Sequence, residues 1–221
     1  MLKIKQSGFT LIELTISFSL GLILLSALLK VYLNHKQHTL WLTQAAHIQE
    51  NARAITDIFR EYIHHAGYKN FSEVAFNSPI KGYQSFGLTW IPELPHALQG
   101  KVKSNTDVFT VHSLISGKLK SNTFFIHETT RKNVHGEFIN VLSTLDENGD
   151  VTELFENVDS LKVKYLSSPG FRKSDYLLAA EVRDWDQIKA VQIIFSLNTE
   201  QNLSLRREWE VYVSLRQSPW A

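Results

Sequence analysis

The hydrophobic pattern changes character twice along the 221-residue chain. From Phe9 to Leu29 it is nearly continuous, and Glu13 carries the single charge of that run. A helix over this stretch spans roughly 31 Å, the thickness of a bilayer's hydrocarbon core. Beyond it, apolar or small residues recur at Trp41, Ala45, Ile48, Ala52, Ile55, Phe59, Tyr62 and Ala66. Steps of three and four predict a helix with one apolar seam. No proline precedes Pro79, and Gly67 stands where a helix C′ residue belongs. The pattern therefore predicts one nearly continuous helix from Phe9 to Ala66, roughly 87 Å long. Such a length needs lipid at one end and a domain or partners at the other. A coiled coil with a partner helix competes with a covering sheet domain as the explanation of the seam.

Downstream the period shortens. Residues 68–106, with Pro79, Pro92 and Pro95 among scattered aromatics, read as an irregular, partly packed connection. Strand-like runs follow at 107–112, 123–127, 137–142, 161–166, 188–197 and 205–215. Val108, Thr110 and His112 alternate only weakly with Phe109 and Val111, whereas Trp209, Val211, Val213 and Leu215 alternate cleanly with polar neighbours. Asn148-Gly149 between Leu142–Leu145 and Val151–Phe155 signals a hairpin. The expected class is α+β: a long amino-terminal helix packed on an antiparallel β-sheet domain.

Composition changes this picture little. Lys+Arg is 23 and Asp+Glu 22, a formal charge of +1, which argues against a basic phosphate-binding surface. The absence of cysteine excludes disulfides, thiol nucleophiles and thiolate metal sites. Catalytic constellations are absent too: no Gly-x-Ser-x-Gly elbow, no phosphate-binding glycine loop and no His-Glu-x-x-His. No catalytic residue, cofactor or metal is expected. His35 and His38 sit three apart on the stalk without a third ligand, and His64 and His65 diverge on a helix. Asp146-Glu147-Asn148-Gly149-Asp150 resembles the start of a calcium loop, but Val151 and Asn157 occupy the positions of the required Gly and Glu. An acidic turn is the expected reading, with a looser calcium site as its rival. The basic pairs Arg131-Lys132, Arg172-Lys173 and Arg206-Arg207 lie near acids and read as solvated faces.

The sharpest feature is the carboxylate in the apolar run. On insertion scales it costs about 2.5–3.5 kcal/mol, so it calls for a partner or a function. A secretory signal peptide has a shorter apolar region and a small-residue cleavage site that Ser26-Ala27-Leu28 does not supply. An ordinary anchor leaves Glu13 unexplained. With Lys3 and Lys5 ahead of the run, the amino end is expected to stay cytoplasmic.

Gly8-Phe9-Thr10-Leu11-Ile12-Glu13-Leu14 resembles the processing signature of type IV prepilins and pseudopilins. The resemblance implies cleavage after Gly8 by prepilin peptidase, N-methylation of Phe9, and Glu13 as the acid that pairs with a neighbour's new amine in the filament. It divides the chain into a leader (1–8), a transmembrane half-helix (9–29), a periplasmic stalk (30–67) and a globular pilin-like domain (68–221). Ser19-Leu20-Gly21-Leu22, Gln49-Glu50-Asn51-Ala52-Arg53, Ala66-Gly67-Tyr68, the run from Glu156 to Tyr165 and Ile188-Lys189-Ala190-Val191 resemble the PilW-like branch of minor pilins. Many major pilins carry a proline where Lys30 stands, a departure that bears on major-subunit status and leaves minor-pilin status untouched.

That resemblance implies a non-enzymatic subunit that primes type IV pilus assembly and serves twitching motility. Its partners would be prepilin peptidase, other minor pilins, the major pilin and inner-membrane lipid, with no nucleic acid. It would lie single-pass in the bacterial inner membrane and, once assembled, in the fimbrium at the cell surface. A minor pseudopilin of a type II secretion system and a membrane-tethered DNA- or ligand-binding protein are the alternatives. Loss of Lys3 and Lys5 with the leader takes the 23 bases to 21 against 22 acids, a mature charge of −1.

Overall fold

The computed structural model describes residues 10–66, 78–84, 94–115, 118–167, 175–199 and 206–215. A single helix, α1 (Leu11–His64), covers 54 residues. It ends two residues before the expected limit because Ala66 turns aside: its N–H donates to the Ile63 carbonyl at 3.0 Å, and the residue forms a β-bridge with Ser113. Gly67, the expected C′ residue, lies outside the described residues. The chain divides into two compact units, Met1–His47 and Ile48–Ala221, so that the end of α1 belongs to the sheet-bearing unit.

Within the second unit, α1 buries Ile48, Ala52, Ile55, Phe59 and Ile63. This is the seam read from the sequence, with one exchange. Ile63 takes the deep position, while Tyr62 is half-buried and packs edge-on against Phe124 at 5.2 Å. From Ile48 onward the seam is covered by the chain's own strands, so no partner helix is required there.

Among the described residues the strands form two antiparallel sheets, where the sequence led to the expectation of one. The first is a meander of β1 (Ile80–Tyr83), β2 (Val108–Ile115), β3 (Lys118–Lys132), β4 (Phe138–Leu145) and β5 (Val151–Glu156), neighbours in sequence order. The second contains β6 (Val158–Leu166), β7 (Leu177–Leu178), β8 (Ala190–Leu197) and β9 (Arg207–Ser214), in the order β7-β6-β8-β9. Asn157, at φ 63°, carries the chain from β5 of one sheet into β6 of the other. Asparagine is one of the side chains that tolerates this left-handed conformation.

Phe59 is where helix and both sheets meet. Its ring stands edge-on to Phe109 of β2 and Phe124 of β3, each at 5.5 Å, and to Phe195 of β8 at 6.1 Å. The outer face of the first sheet is covered as well: Val108, Phe125 and Leu145 form a second cluster with Leu94 and Leu98. A short 3-10 turn at His96–Leu98 supplies that cover, from the segment expected to be irregular. Burial on both faces explains the weak alternation of β2. In β9 only Val211 and Val213 are fully buried while Glu210, Tyr212 and Ser214 face solvent, hence the clean period of two.

Candidate functional site

The amino-terminal helix is built to be satisfied internally and apolar externally. Its eighteen-residue apolar window has a mean hydropathy of 2.1 and is wholly unburied. Leu11, Phe18, Leu24 and Leu28 are all more than 60% exposed. Three hydroxyls within the run are satisfied by the helix itself. Thr15 donates to the Ile12 carbonyl at 2.9 Å, Ser19 to Thr15 at 2.8 Å and Ser26 to Ile23 at 2.8 Å. Back-bonding of this kind lets these three donors enter hydrocarbon already paired.

Glu13 sits at the third position of the helix and closes a reciprocal cap with Thr10. The Thr10 backbone N–H and hydroxyl each donate to Glu13 Oε2 at 3.0 Å, and the Glu13 N–H donates to Thr10 Oγ1 at 3.3 Å. This is a capping box, which satisfies donors that a helix start would otherwise leave exposed. The carboxylate thus has a local role beside the motif, one that the Thr-x-x-Glu spacing of Thr10-Leu11-Ile12-Glu13 carries but that the sequence reading passed over. Gly8 and Phe9, the expected cleavage and methylation residues, lie outside the described residues.

Elsewhere, titratable groups serve the fold. Asp107 is buried between the sheets: its N–H donates to the Leu161 carbonyl at 2.8 Å and its Oδ2 accepts the Val163 N–H at 2.9 Å. Burial raises its pKa to about 6, against the opposing pull of the Val163 N–H and of Lys162. Burial likewise lowers His112, with Lys81 adding to the effect. His127 is also lowered, chiefly by burial, while Glu153 pulls the other way. Asp159 of β6 holds Lys103, whose Nζ donates to Oδ1 at 2.7 Å and to the Asp159 carbonyl at 2.8 Å while its N–H donates to Ile126 of β3, and within its own sheet pairs with Arg206 Nη1 at 3.0 Å from Oδ2.

The acidic stretch proves to be a turn organised on its own first residue. Asp146 Oδ1 accepts the backbone N–H groups of Asn148 and Asp150, each at 2.9 Å, and Gly149 takes φ 88°. Those hydrogen bonds, led by the one from Asp150, hold the Asp146 carboxyl below its usual range. His35 is engaged along the helix with Thr39 Oγ1 at 3.3 Å from Nδ1, and among the described residues no group of three His, Asp or Glu is placed to hold a metal. Arg131 of β3 pairs across β4 with Glu153 and Glu156 of β5, acids that are not its sequence neighbours. Arg172 and Lys173 lie outside the described residues.

No curated protein and no solved structure matches this chain. Residues 3–29, by contrast, match the prokaryotic N-terminal methylation motif. That match spans Lys3, Lys5, Gly8, Phe9, Glu13 and the whole apolar run. It is the leader of type IV pilin-like and pseudopilin proteins, and it implies processing by prepilin peptidase. Leader and single apolar helix together fit an inner-membrane-anchored, type IV pilin-like protein.

Proposed function

We propose that this chain is a PilW-like minor pilin, a structural subunit that helps to prime type IV pilus assembly. In this reading prepilin peptidase cuts after Gly8 and Phe9 becomes the methylated first residue. Residues 9–29 lie in the inner membrane, the stalk from Lys30 to Gly67 and the domain from Tyr68 onward are periplasmic, and the cytoplasmic end is the basic leader. The observation that carries the proposal is the methylation motif at the head of a helix whose amino-terminal apolar window is wholly unburied. Such a surface has two uses: lipid solvates it before assembly, and neighbouring helices cover it afterwards.

Glu13 supports the same reading. Cleavage before Phe9 creates an amine at the head of an apolar helix, where an unpaired cation and an unpaired carboxylate are each costly to bury. Exchange of the Thr10 hydrogen bonds for the Phe9 amine of an adjacent subunit would fix axial register. The expected partners are other minor pilins and the major pilin. Nucleic acid is not expected, because the mature chain is near-neutral and Arg131, Arg206 and Lys103 are tied to acids.

A deletion strain separates pilus from secretion system. Loss of surface pili and twitching, restored by the intact gene, is the expected outcome. Normal pili with lost exoprotein secretion would assign the chain to a type II secretion system as a minor pseudopilin. DNA retention by the purified protein at physiological salt would favour a tethered DNA-binding role.

A further inference from the structure

From Leu29, the end of the apolar run, to Ile48, where the seam becomes buried, α1 extends roughly 28 Å. Residues 30–43 of this stretch are exposed throughout. Their surface is only partly polar: Val31 and Tyr32 are each 64% exposed and Leu40 is 51% exposed. A groove of about 550 Å³ follows one face of the helix, from Leu28 through Val31, Tyr32, His35 and Lys36 to Leu40. Steps of three and four place these side chains on the same side.

The formal charge of the stretch has one sign. No Asp or Glu occurs between Glu13 and Glu50, an interval that contains Lys30 and Lys36. Along the helix Lys36 stands roughly 21 Å from Glu50, and Lys30 roughly 26 Å from Glu13. Both separations exceed the Debye length of about 8 Å at physiological ionic strength, so no acid of the same helix neutralises either lysine. Past Ile48 the bias ends: Glu50, Arg53, Asp57, Arg60 and Glu61 mix the signs, and Arg53 lies 4.0 Å from Asp57. The cationic surface is confined to the part of α1 that adjoins the apolar run. Lys36 is in the groove, whereas Lys30 lies on the opposite side of the helix.

The order of groups along the groove selects its occupant. Leu28, within the apolar run, and Val31 offer aliphatic surface; the Tyr32 ring with its hydroxyl follows, and His35 and Lys36 come after it. A molecule that matches has a hydrocarbon end, a mildly polar middle and an anionic head. A soluble acidic protein would answer the lysine and leave the aliphatic end unmatched. Tyrosine favours the membrane–water boundary, where its ring is in an apolar layer and its hydroxyl in a wet one. Lys36 lies roughly 10 Å beyond Leu29 along the axis. The headgroup layer is about 5–7 Å deep on each side of the hydrocarbon. Helical side chains lean toward the amino end, so the long stem of Lys36 carries its ammonium back into that layer. We propose that this groove holds one anionic phospholipid, with its phosphate on Lys36, its glycerol region on Tyr32 and its chains along Leu28 and Val31. The proposal rests on the reading that residues 9–29 span the inner membrane, and adds headgroup selectivity at the carboxyl-terminal end of that span.

The test equilibrates the full chain, in a non-ionic detergent, with equal amounts of phosphatidylglycerol and phosphatidylcholine, and counts the retained lipids by native mass spectrometry. A preference for phosphatidylglycerol of about fivefold is expected, the factor for one basic residue near an anionic headgroup. Lys36→Gln should abolish it, and Lys30→Gln should lower it by less than twofold. Lys120→Gln, which removes an exposed lysine of β3, should leave it unchanged. Equal retention of the two lipids by the parent would overturn the proposal, as would a preference that survives Lys36→Gln. Lipid-free dimers would place a second copy of the chain on this face and overturn it too. Alkaline carbonate extraction of native membranes separates this proposal from the reading beneath it. A chain that is washed out does not span the membrane, and both fall. A chain that resists extraction yet retains both lipids equally removes the lipid site alone.

Discussion

The hydroxyl of Tyr165, on β6 of one sheet, rests directly on Gly82, in β1 of the other, so that a Cβ on the glycine would collide with Oη, Cζ and Cε2 of the ring. The tyrosine is fully buried and its hydroxyl has no hydrogen-bond partner. The glycine is therefore required by the close approach of a bulky ring. Gly82→Ala is expected to cost about 1–3 kcal/mol, since neither the strand nor the enclosed ring has room to move. Thermal unfolding of the detergent-solubilised chain reads this directly.

Tyr165→Phe carries the opposite expectation. It removes an unsatisfied hydroxyl while keeping the ring and its edge-on contact with Trp185 at 4.8 Å. The variant should be as stable as the parent or more stable by about 1 kcal/mol. A loss of more than about 1 kcal/mol would show that the hydroxyl has a partner in solution.

Asp107 makes stability depend on pH. Its folded pKa, about 6, lies above the model-compound value of 3.8, so between these values the native state holds a proton that the unfolded chain releases. Stability from this group is full below pH 3.8 and is lost as pH rises through about 6. The loss is about 3 kcal/mol at one pKa unit per 1.36 kcal/mol. Asp107→Asn keeps a carbonyl for the Val163 N–H and removes the ionisation. Its unfolding temperature should exceed the parent's at pH 7.5, with the gap closing toward pH 4.5. The lowered pKa values of His112 and His127 give a slope of the opposite sign, so the comparison of variant with parent isolates the carboxylate.

Phe59→Ala removes the one ring that touches β2, β3 and β8 together. A loss of about 3–5 kcal/mol is expected for a large-to-small change at such a site. Because both sheets lean on this ring, the variant should unfold as one unit rather than release a single sheet.

The helical seam was readable because its physics is local: Ile48, Ala52, Ile55 and Phe59 follow the helix period whatever covers them. Ile63 was missed in favour of Tyr62, since both positions satisfy a step of three or four and only the sheet decides which one goes deep. The hairpin at Asn148-Gly149 was legible from its turn chemistry. β1 was not, because Pro79 and its neighbours read as an irregular connection. The proline precedes the strand, and Gly82 makes room for a ring supplied from another sheet. Division into two sheets was hidden for the same reason: it depends on pairing between distant segments, and Asn157 marks the changeover by conformation alone. At the amino terminus, the Glu13 spacing announced the leader motif, and the capping box that shares the Thr-x-x-Glu spacing was passed over in its favour.

Glu13→Ala separates the local role of the carboxylate from its proposed role in assembly. Loss of the capping box should cost the helix start about 1 kcal/mol, too little to prevent membrane insertion. Incorporation into filaments should nevertheless fall sharply in a pilus-assembly assay. Unchanged incorporation would remove Glu13 from the assembly step.

The central claim is that the leader is processed. Mass spectrometry of the amino terminus of protein purified from its native membrane tests it most directly. The expected first residue is Phe9, carrying one methyl group on its amine, with Met1–Gly8 gone. A native chain that still begins at an unmethylated Met1 would contradict the account.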